Sequence, residues 1–570
     1  MKYRTREKIS NYFDLFILFV ELDIFIWVLF EMGHTFRPFV YQVGKILIVL
    51  YMVELVFQFL LHPRLKSYMR IYWPLFVSLP ALFYAQYKFT SVPETHRLLF
   101  IYSKMYLGAI EVILFTKFIS KLSRIHDISR FFKMNPAQLI VMSFASIIII
   151  GSFLLYLPYS RPQGEAMRYI DALFTSTSAV CVTGLIVVDT GTAFSRVGQV
   201  FLILLIQVGG LGIMTIAAFI QVSLGSQMSL HGRFSTAALL DTQNLRNLYA
   251  IIRSIVFITF AIEAVGVLFF FSSFFGRFSS SWEALFYSIF HSVSAFCNAG
   301  FSLFSTSFMS ARSNTWVNFV LILLIILGGL GFTVLLNLFR RTVYGKNERI
   351  TVQTRIVILT SLALIVFGAV NIYFFERGSL FSSYEGHERV LSSIFQSVTT
   401  RTAGFNTVDI AALDPKTLFL MSILMFIGAS PGSTGGGIKT TTFFTLILSI
   451  ITILRDQRFN TIFKRRIPYQ VVNRAIAILV SAMGLVIIGT IMLGFSEQFS
   501  FMEVYFETVS AFGTVGLSTG ITPLLSDFGK IIVMITMFVG RLGPLTIVLA
   551  IRNVQGSRLV TYPEERVMVG

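Results

Sequence analysis

Thr402-Ala403-Gly404-Phe405 is one of four short segments that close a polar stretch on a glycine and stand between two long apolar runs. The others are Val182-Thr183-Gly184-Leu185, Asn298-Ala299-Gly300-Phe301 and Thr514-Val515-Gly516-Leu517. Their glycines recur at intervals of about 110 residues. About 25 residues beyond each one, an apolar run is itself interrupted by glycine: Gly209-Gly210-Leu211-Gly212, Gly328-Gly329-Leu330-Gly331, Gly428-Ala429-Ser430-Pro431-Gly432 and Gly540-Arg541-Leu542-Gly543. A helix, a short polar hairpin and a second helix, repeated four times, reads as four quarters of one pore. Four loops at one depth line a ring of backbone carbonyls, the device that replaces an ion's hydration shell in potassium filters.

Composition places this pattern in a membrane. Of 570 residues, 55% are apolar and only 13% charged, where soluble domains carry roughly 25%. Mean hydropathy is +0.76. Long apolar runs, with 60 Phe in the chain, fit lipid-embedded helices rather than a barrel of alternating strands of about 10 residues. The net charge of +18 does not mark a nucleic-acid binder, because the basic residues cluster in loops on one side of the apolar runs. That is the positive-inside pattern. Two cysteines, Cys181 and Cys297, make neither a disulfide framework nor a metal-ligand cluster. No cleavable leader is evident, since the first apolar run starts near Tyr12 without a small-residue cleavage site.

Apolar runs of roughly 17–25 residues predict spans at 12–30, 39–61, 71–87 and 97–118, the third interrupted by Pro74 and Pro80. Four repeats follow. Their first helices are expected at 138–157, 250–271, 356–375 and 475–495, and their second helices at 197–222, 316–339, 417–454 and 530–551. Between them, stretches such as 171–180 and 503–512 predict re-entrant pore helices, tolerated at membrane depth only where protein or a water-filled cavity surrounds them. The fold expected is an all-α polytopic membrane protein. It has four pseudo-symmetric helix–pore helix–filter–helix repeats around one pore, preceded by about four N-terminal transmembrane helices. The divisions are 1–133 for the N-terminal region, then 134–240, 241–345, 346–465 and 466–570 for the repeats.

The loops joining repeats are basic: Arg233, Arg246 and Arg253; Arg340, Arg341, Lys346, Arg349 and Arg355; Arg455, Arg458, Lys464, Arg465, Arg466 and Arg474. The filter-side loops carry Glu165, Asp171, Asp189, Glu376, Glu385, Glu388, Asp409, Asp414, Glu497 and Asp527. The filters therefore open outward, both termini are cytoplasmic, and the carboxylate-rich mouth is expected to concentrate cations.

Glycine at the shared filter position gives the backbone dihedrals closed to other residues and brings carbonyls close to an ion. Small or hydroxylated neighbours, Thr183, Ala299, Ala403 and Val515, suit a crowded axis. The ion-binding set is Val182, Thr183, Gly184; Asn298, Ala299, Gly300; Thr402, Ala403, Gly404; and Thr514, Val515, Gly516. The ion sits at the carbonyls of Thr183, Ala299, Ala403 and Val515. In the second helices, the glycines serve either close helix packing or a pore lining.

The third repeat departs from the others. Ala429-Ser430-Pro431-Gly432-Ser433-Thr434-Gly435-Gly436-Gly437 lies inside what should be one span, and such a sequence does not hold a helix. It reads as a flexible intramembrane loop below the filter, and so as a gate. The end of this run, Gly437-Ile438-Lys439-Thr440, lacks P-loop spacing and a preceding strand. Arg541 is the lone charge well inside the last span; it is a barrier to cations coupled to that loop, or a side chain satisfied by carbonyls or by Glu263. Arg401 is expected to hold pore-helix backbone or an outer carboxylate. Cys181 and Cys297 fill matching slots three residues before their glycines, and His291 is a hydrogen-bonded packing residue.

The stretches 175–185, 292–301, 397–406 and 509–518, with the glycine motifs of the second helices, resemble the Trk/Ktr/HKT superfamily of potassium transporters, most of all its TrkH/KtrB-like pore subunits. The resemblance covers about residues 134–570. It implies a pseudo-fourfold pore in each chain, a homodimer in the bacterial inner membrane, and a cytoplasmic ring of TrkA/KtrA-like RCK subunits that bind a nucleotide (ATP/ADP or NAD). No cofactor is implied on this chain. Glycine at all four filter positions goes with potassium selectivity in that family, and the third-repeat loop and last-helix arginine are its gate elements. They map onto residues 429–437 and Arg541. Residues 1–133 depart from the shorter members. Residues 50–82, with Glu54, Arg64 and Lys66, faintly resemble voltage-sensor helices, but Arg97, Lys104 and Lys117 make no array at every third position, so a degenerate sensor with a docking or regulatory role is expected.

The leading expectation is potassium uptake driven by membrane potential, since no ATPase motif is present. The alternative on the same scaffold is a sodium-conducting or sodium/proton-coupled symporter. An intramembrane enzyme is disfavoured: there is no HExxH, no paired Asp on facing spans and no Ser/His pairing. A voltage-sensing regulator with an inactive pore is disfavoured because no filter glycine is broken.

Overall fold

The computed structural model describes residues 49, 52–53, 56, 136–162, 167–212, 215, 248–345 and 349–551. The expected N-terminal spans and sensor-like stretch, Glu165, Arg233, Arg246 and Lys346 lie outside them, isolated positions in the second span apart. Helices α1 (Pro136–Tyr156), α2 (Tyr169–Val180) and α3 (Arg196–Leu211) come first; α4 (Leu248–Phe274), α5 (Ser281–Phe296), α6 (Thr315–Leu330) and α7 (Phe332–Tyr344) follow. Then come α8 (Val352–Glu376), α9 (Gly386–Thr399), α10 (Pro415–Phe426) and α11 (Thr440–Leu454), and finally α12 (Tyr469–Ser496), α13 (Phe501–Gly513), α14 (Asp527–Leu542) and α15 (Pro544–Ile551). A two-residue hairpin, β1 (Thr461–Ile462) with β2 (Arg465–Arg466), sits in the basic linker between α11 and α12.

The long helices α1, α4, α8 and α12 bury only 28–39% of their apolar windows in protein. Leu268, Phe374 and Phe495 stand exposed on them. Faces of that size need hydrocarbon as their solvent. Their inner strips meet the pore helices at small residues. Gly151, Gly266 and Gly368 lie against the Ser176, Ser292 and Ser397 side chains. Those hydroxyls donate to the carbonyls of Ile148, Glu263 and Ile365, each at 2.7 Å. Small residues let backbones approach, and the hydroxyls bond across the contact. In the fourth repeat Gly489 meets the methyl of Thr508 and, farther off, the Thr536 hydroxyl, while the Thr508 hydroxyl stays in its own helix on the Val504 carbonyl.

The second helices correct the sequence expectation of continuous spans. α6 and α7 meet at 103°, and α14 and α15 at 93°. The joints are Gly331 and Gly543, at φ 92° and 85°, and α3 likewise stops at Gly212 (φ 81°), well short of residue 222. Positive φ is open to glycine at low cost. At Gly331 the chain turns where another partner takes the next backbone donor, the Phe332 N–H going to the Gly432 carbonyl at 2.8 Å, and at Gly543 the next residue, Pro544, has no N–H with which to continue the helix. The third-repeat break is observed where the sequence placed it, between Phe426 and Thr440.

Ion pairs tie successive repeats at the rim where the pore helices begin. Lys530 of α14 holds Asp171 of α2 at 2.7 Å, Arg196 of α3 holds Glu283 of α5 at 2.8 Å, and Arg312, just before α6, holds Glu388 of α9 at 3.5 Å. At the joint between the third and fourth repeats, Lys416 turns to Asp414 and Glu503 caps its own helix through Ser500. Farther along, Gln138 donates to the Ala550 carbonyl at 2.9 Å, fastening the last helix to the first.

Burial ranks these pairs. Lys530 and Asp171 side chains are 7% and 12% exposed, whereas Arg168 and Asp527 are 58% and 60% exposed. Asp171→Asn strands a buried ammonium and is expected to cost about 3–5 kcal/mol, while Asp527→Asn costs under about 1 kcal/mol. Thermal unfolding of the detergent-purified variants checks the order; equal midpoints would overturn it.

Candidate functional site: a ring of four backbone loops

Each pore helix ends in the same backbone turn. Val182, Asn298, Thr402 and Thr514 all lie in the left-handed region, at φ 55°, 58°, 70° and 50°, and each is followed two residues later by a glycine at φ 93°, 71°, 79° and 91°. A non-glycine residue held there costs about 1–3 kcal/mol and persists only when its surroundings over-determine it. The surroundings here are the last turns of the pore helices. Thr183, Ala299 and Val515 donate their N–H to the carbonyls of Ser178, Ser294 and Ser510 at 2.8, 2.8 and 2.9 Å, and Ala403 to that of Thr399 at 3.0 Å. The side chains of the same four residues hold the next stretch. Ser178 and Ser510 accept from the Gly184 and Gly516 N–H at 3.0 and 3.1 Å. Ser294 and Thr399 donate to the Phe301 and Phe405 carbonyls at 2.8 and 2.6 Å.

These hydroxyl residues escaped the sequence reading. The signal was present as a serine six residues before the glycine in three repeats. The third repeat hides it, because its hydrogen-bonded turn is one residue tighter, from Thr399 to Ala403, and puts a threonine five residues before the glycine.

The four loops close on one another in chain order. A Cβ placed on Gly184 would touch the Ala299 carbonyl oxygen at 2.5 Å, one on Gly300 the Ala403 oxygen at 2.9 Å, and one on Gly404 the Val515 oxygen at 2.5 Å. One on Gly516 would meet the Thr183 oxygen and so return to the start. The sequence-predicted residues Thr183, Ala299, Ala403 and Val515 are thus brought together as one ring of carbonyls, and all four are fully buried.

The glycines of the second helices bring those helices onto this ring. A side chain on Gly209, Gly328 or Gly540 would run into the carbonyl of Val180, Phe296 or Phe512 at the end of a pore helix. Gly210 faces the Cys297 sulfur. The slot before each left-handed residue holds Cys181, Cys297, Arg401 and Gly513. Arg401 reaches across to the Gly428 carbonyl at 3.3 Å, backbone of the broken third-repeat span rather than the pore-helix backbone or outer carboxylate expected for it.

The glycine-rich stretch of the third repeat lies against the pore-helix ends, on the α7 and α11 side of the ring. Ser430 and Thr434 donate N–H groups to the Gly329 and Gly328 carbonyls at 3.1 and 3.4 Å. The Gly436 N–H goes to the Thr514 hydroxyl at 2.9 Å, and Gly435 leaves room for Thr402. Lys439, which the sequence reading left without a role, folds back on the Gly435 carbonyl at 2.7 Å. Arg541 joins the stretch to the first repeat, donating to the Thr434 carbonyl and to the Gly209 carbonyl, the latter at 2.5 Å. Carbonyls satisfy the arginine, and Glu263 does not; that carboxylate instead lies 3.9 Å from the Cys297 sulfur.

The rim is less free to attract cations than a count of acids implies. Asp171, Glu388, Asp414 and Asp527 each pair with a Lys or Arg. Asp189 caps a one-turn helix through the Gly191 and Thr192 N–H groups. Glu376 is buried and accepts from the Asp414 N–H at 3.0 Å. His291 is hydrogen-bonded within an aromatic cluster, as a packing residue should be.

A family model described as a cation transport protein, TrkH, matches residues 105–559. Ktr system potassium uptake protein B of Bacillus subtilis is 37% identical over 440 residues, 77% of this chain and 97% of that protein. The protein of the same description from Vibrio alginolyticus is 38% identical over 441 residues, 77% of this chain and 96% of that one. The crystal structure of the potassium transporter TrkH from Vibrio parahaemolyticus matches with a TM-score of 0.60 at 16% identity, over 90% of this chain and 98% of that chain, a likeness of fold.

Helix approach at the ring is testable with alanine. Gly328→Ala drives a methyl into the Phe296 carbonyl and is expected to destabilise by about 1–3 kcal/mol. Gly484→Ala, on α12 with nothing within 4 Å, is expected to be neutral or to stabilise by about 0.5–1 kcal/mol. Thermal unfolding in detergent compares the two; a harmless Gly328→Ala would remove the packing argument.

Proposed function

The chain belongs to the TrkH family of cation transport proteins, and from that premise we propose that it is a potassium uptake subunit whose selectivity filter is the ring of Thr183, Ala299, Ala403 and Val515 carbonyls. The observation that carries this reading is the closed circuit of contacts from Gly184 through Gly300 and Gly404 to Gly516. A ring built of backbone, with every φ set by helix-end hydrogen bonds, presents oxygens that replace the water around a dehydrated monovalent cation. Glycine at all four positions keeps side chains out of the crowded axis. The sodium-conducting and sodium/proton-coupled alternatives share this scaffold, and no observation favours either.

Residues 429–437 form the gate in this reading, with Arg541 as its latch. The loop stands where an ion leaving the ring on the α11 side must pass. Opening requires the Arg541–Thr434 and Phe332–Gly432 bonds to give way. The exposed basic residues Arg455, Arg458, Lys464, Arg465 and Arg466 follow α11, which supports a cytoplasmic face there and filters open to the outside. The resemblance to Ktr systems supports a homodimer in the inner membrane, with an RCK-type, nucleotide-binding partner on that face. This chain is read as carrying no cofactor of its own, and the membrane potential as the driving force.

The decisive experiment is the reversal potential of purified protein in proteoliposomes under opposed potassium and sodium gradients. It is expected to track potassium. Gly404→Ser, which forces a side chain at φ 79° against the Val515 carbonyl, is expected to lower the potassium-to-sodium permeability ratio by about tenfold or more. A potential that tracks sodium, or flux that needs a proton gradient, would replace this reading by the alternatives. In the same vesicles Arg541→Ala frees the Thr434 carbonyl and is expected to raise potassium flux several-fold, about the worth of one charge-assisted hydrogen bond. Unchanged or reduced flux would remove Arg541 from the gate.

A further inference from the structure

The four filter loops differ in what holds them beyond the ring. Two of the four, the second and the fourth, are tied back to their own pore helix by an ionisable side chain at one matching position. That position lies nine residues before the filter glycine and holds His291 in the second repeat and Glu507 in the fourth. Both side chains are fully buried. In ring order these loops stand opposite each other, since each closes on the first and third.

His291 meets the segment just past its filter. Its Nδ1 lies 2.8 Å from the Tyr287 carbonyl, and its Nε2 accepts the Leu303 N–H at 3.2 Å with the Ser302 hydroxyl also at 3.2 Å. A carbonyl only accepts and an amide N–H only donates, so the proton belongs on Nδ1 and the lone pair on Nε2. The ring is held in that pose by stacking on Phe304 at 4.9 Å and by the edge of Phe308 at 5.1 Å. Glu507 does the corresponding thing, again as an acceptor. Its carboxylate takes the Thr522 hydroxyl, and Thr522 bonds Ser518 at 2.9 Å. Ser302 and Ser518 each lie two residues past their glycine.

The other two loops lack this tie. Thr175 fills the position in the first repeat and spends its hydroxyl on the Asp171 carbonyl of its own helix. Phe395 fills it in the third, where the post-filter segment leans sideways instead, through Asn406 on Ser307 at 3.3 Å.

We propose that His291 and Glu507 are positioning residues for selectivity. They fix the outer exits of two opposite filter loops, and through them the width of the carbonyl ring along one diagonal. The inference rests on the filter reading above. A ring set by four loops loses discrimination when two facing loops can splay, because the potassium-to-sodium preference depends on how the carbonyls are held.

The test is the permeability ratio from reversal potentials in proteoliposomes of full-length protein. His291→Leu and Glu507→Leu are each expected to lower the ratio about tenfold, the scale of one or two lost buried hydrogen bonds. His291→Gln and Glu507→Gln keep an acceptor in place and are expected to stay within about threefold of the parent. Thr175→Val, at the same position in an untied loop, is expected to leave the ratio unchanged. A parent without potassium preference would sink the filter reading itself. A selective parent whose leucine variants keep its ratio would sink only this inference, as would leucine and glutamine variants that fall equally. Where a leucine variant does not purify as folded protein, Thr522→Val decides: it cuts the Glu507 tie from the loop side, and an unaltered ratio there overturns the proposal.

Discussion

A carbonyl ring exists here only because four non-glycine residues are held at left-handed dihedrals at the ends of four helices. Val182, Asn298, Thr402 and Thr514 do not adopt those angles cheaply. The last turn of each pore helix must supply the hydrogen bonds that hold them, and the pore helix must itself be held. Much of the surrounding structure serves that demand. Glycines on the first helices admit pore-helix serines, glycines on the second helices admit pore-helix carbonyls, and ion pairs fasten three of the four joints where the pore helices begin.

Symmetry is kept where the backbone does the work and dropped where side chains do. The third repeat closes its turn with a hydrogen bond one residue tighter, has an arginine where two others have cysteine, and has an open loop where the second and fourth have a bend. These departures touch one another, since Arg401 bonds Gly428 at the entrance to the loop that Arg541 holds from the far side. The joint between the third and fourth repeats is also the one left without a rim ion pair among the described residues. One quarter of the structure has thus been loosened while the ring itself stays fourfold.

The apolar exterior explains how such an interior is stable. The residues of the ring are buried in protein, where an unmade hydrogen bond is costly and a made one correspondingly firm. A cation at Arg541 is tolerated because carbonyls released at the ends of α3 and in the broken third-repeat span receive it. The same broken helices that a membrane would punish elsewhere are buried in protein here.

The sequence by itself determined the membrane setting, the first helices, the short helices between them, the four glycine turns and the broken third-repeat span. Each of these is a local property: an apolar run of spanning length, a glycine where only glycine fits, or a proline and glycine cluster that no helix absorbs. Only the tertiary structure decided the bend at Gly331, the choice of carbonyls over Glu263 by Arg541, the pairing of four rim acids with Lys or Arg, and the closing of the ring in chain order. A glycine in an apolar run is equally compatible with a straight helix packed closely and with a sharp turn. Which one occurs depends on whether a distant residue, here Gly432, offers a better partner for the backbone donor. A charge likewise declares its need for a partner in the sequence, while the partner's identity is settled by which repeat lies across the contact.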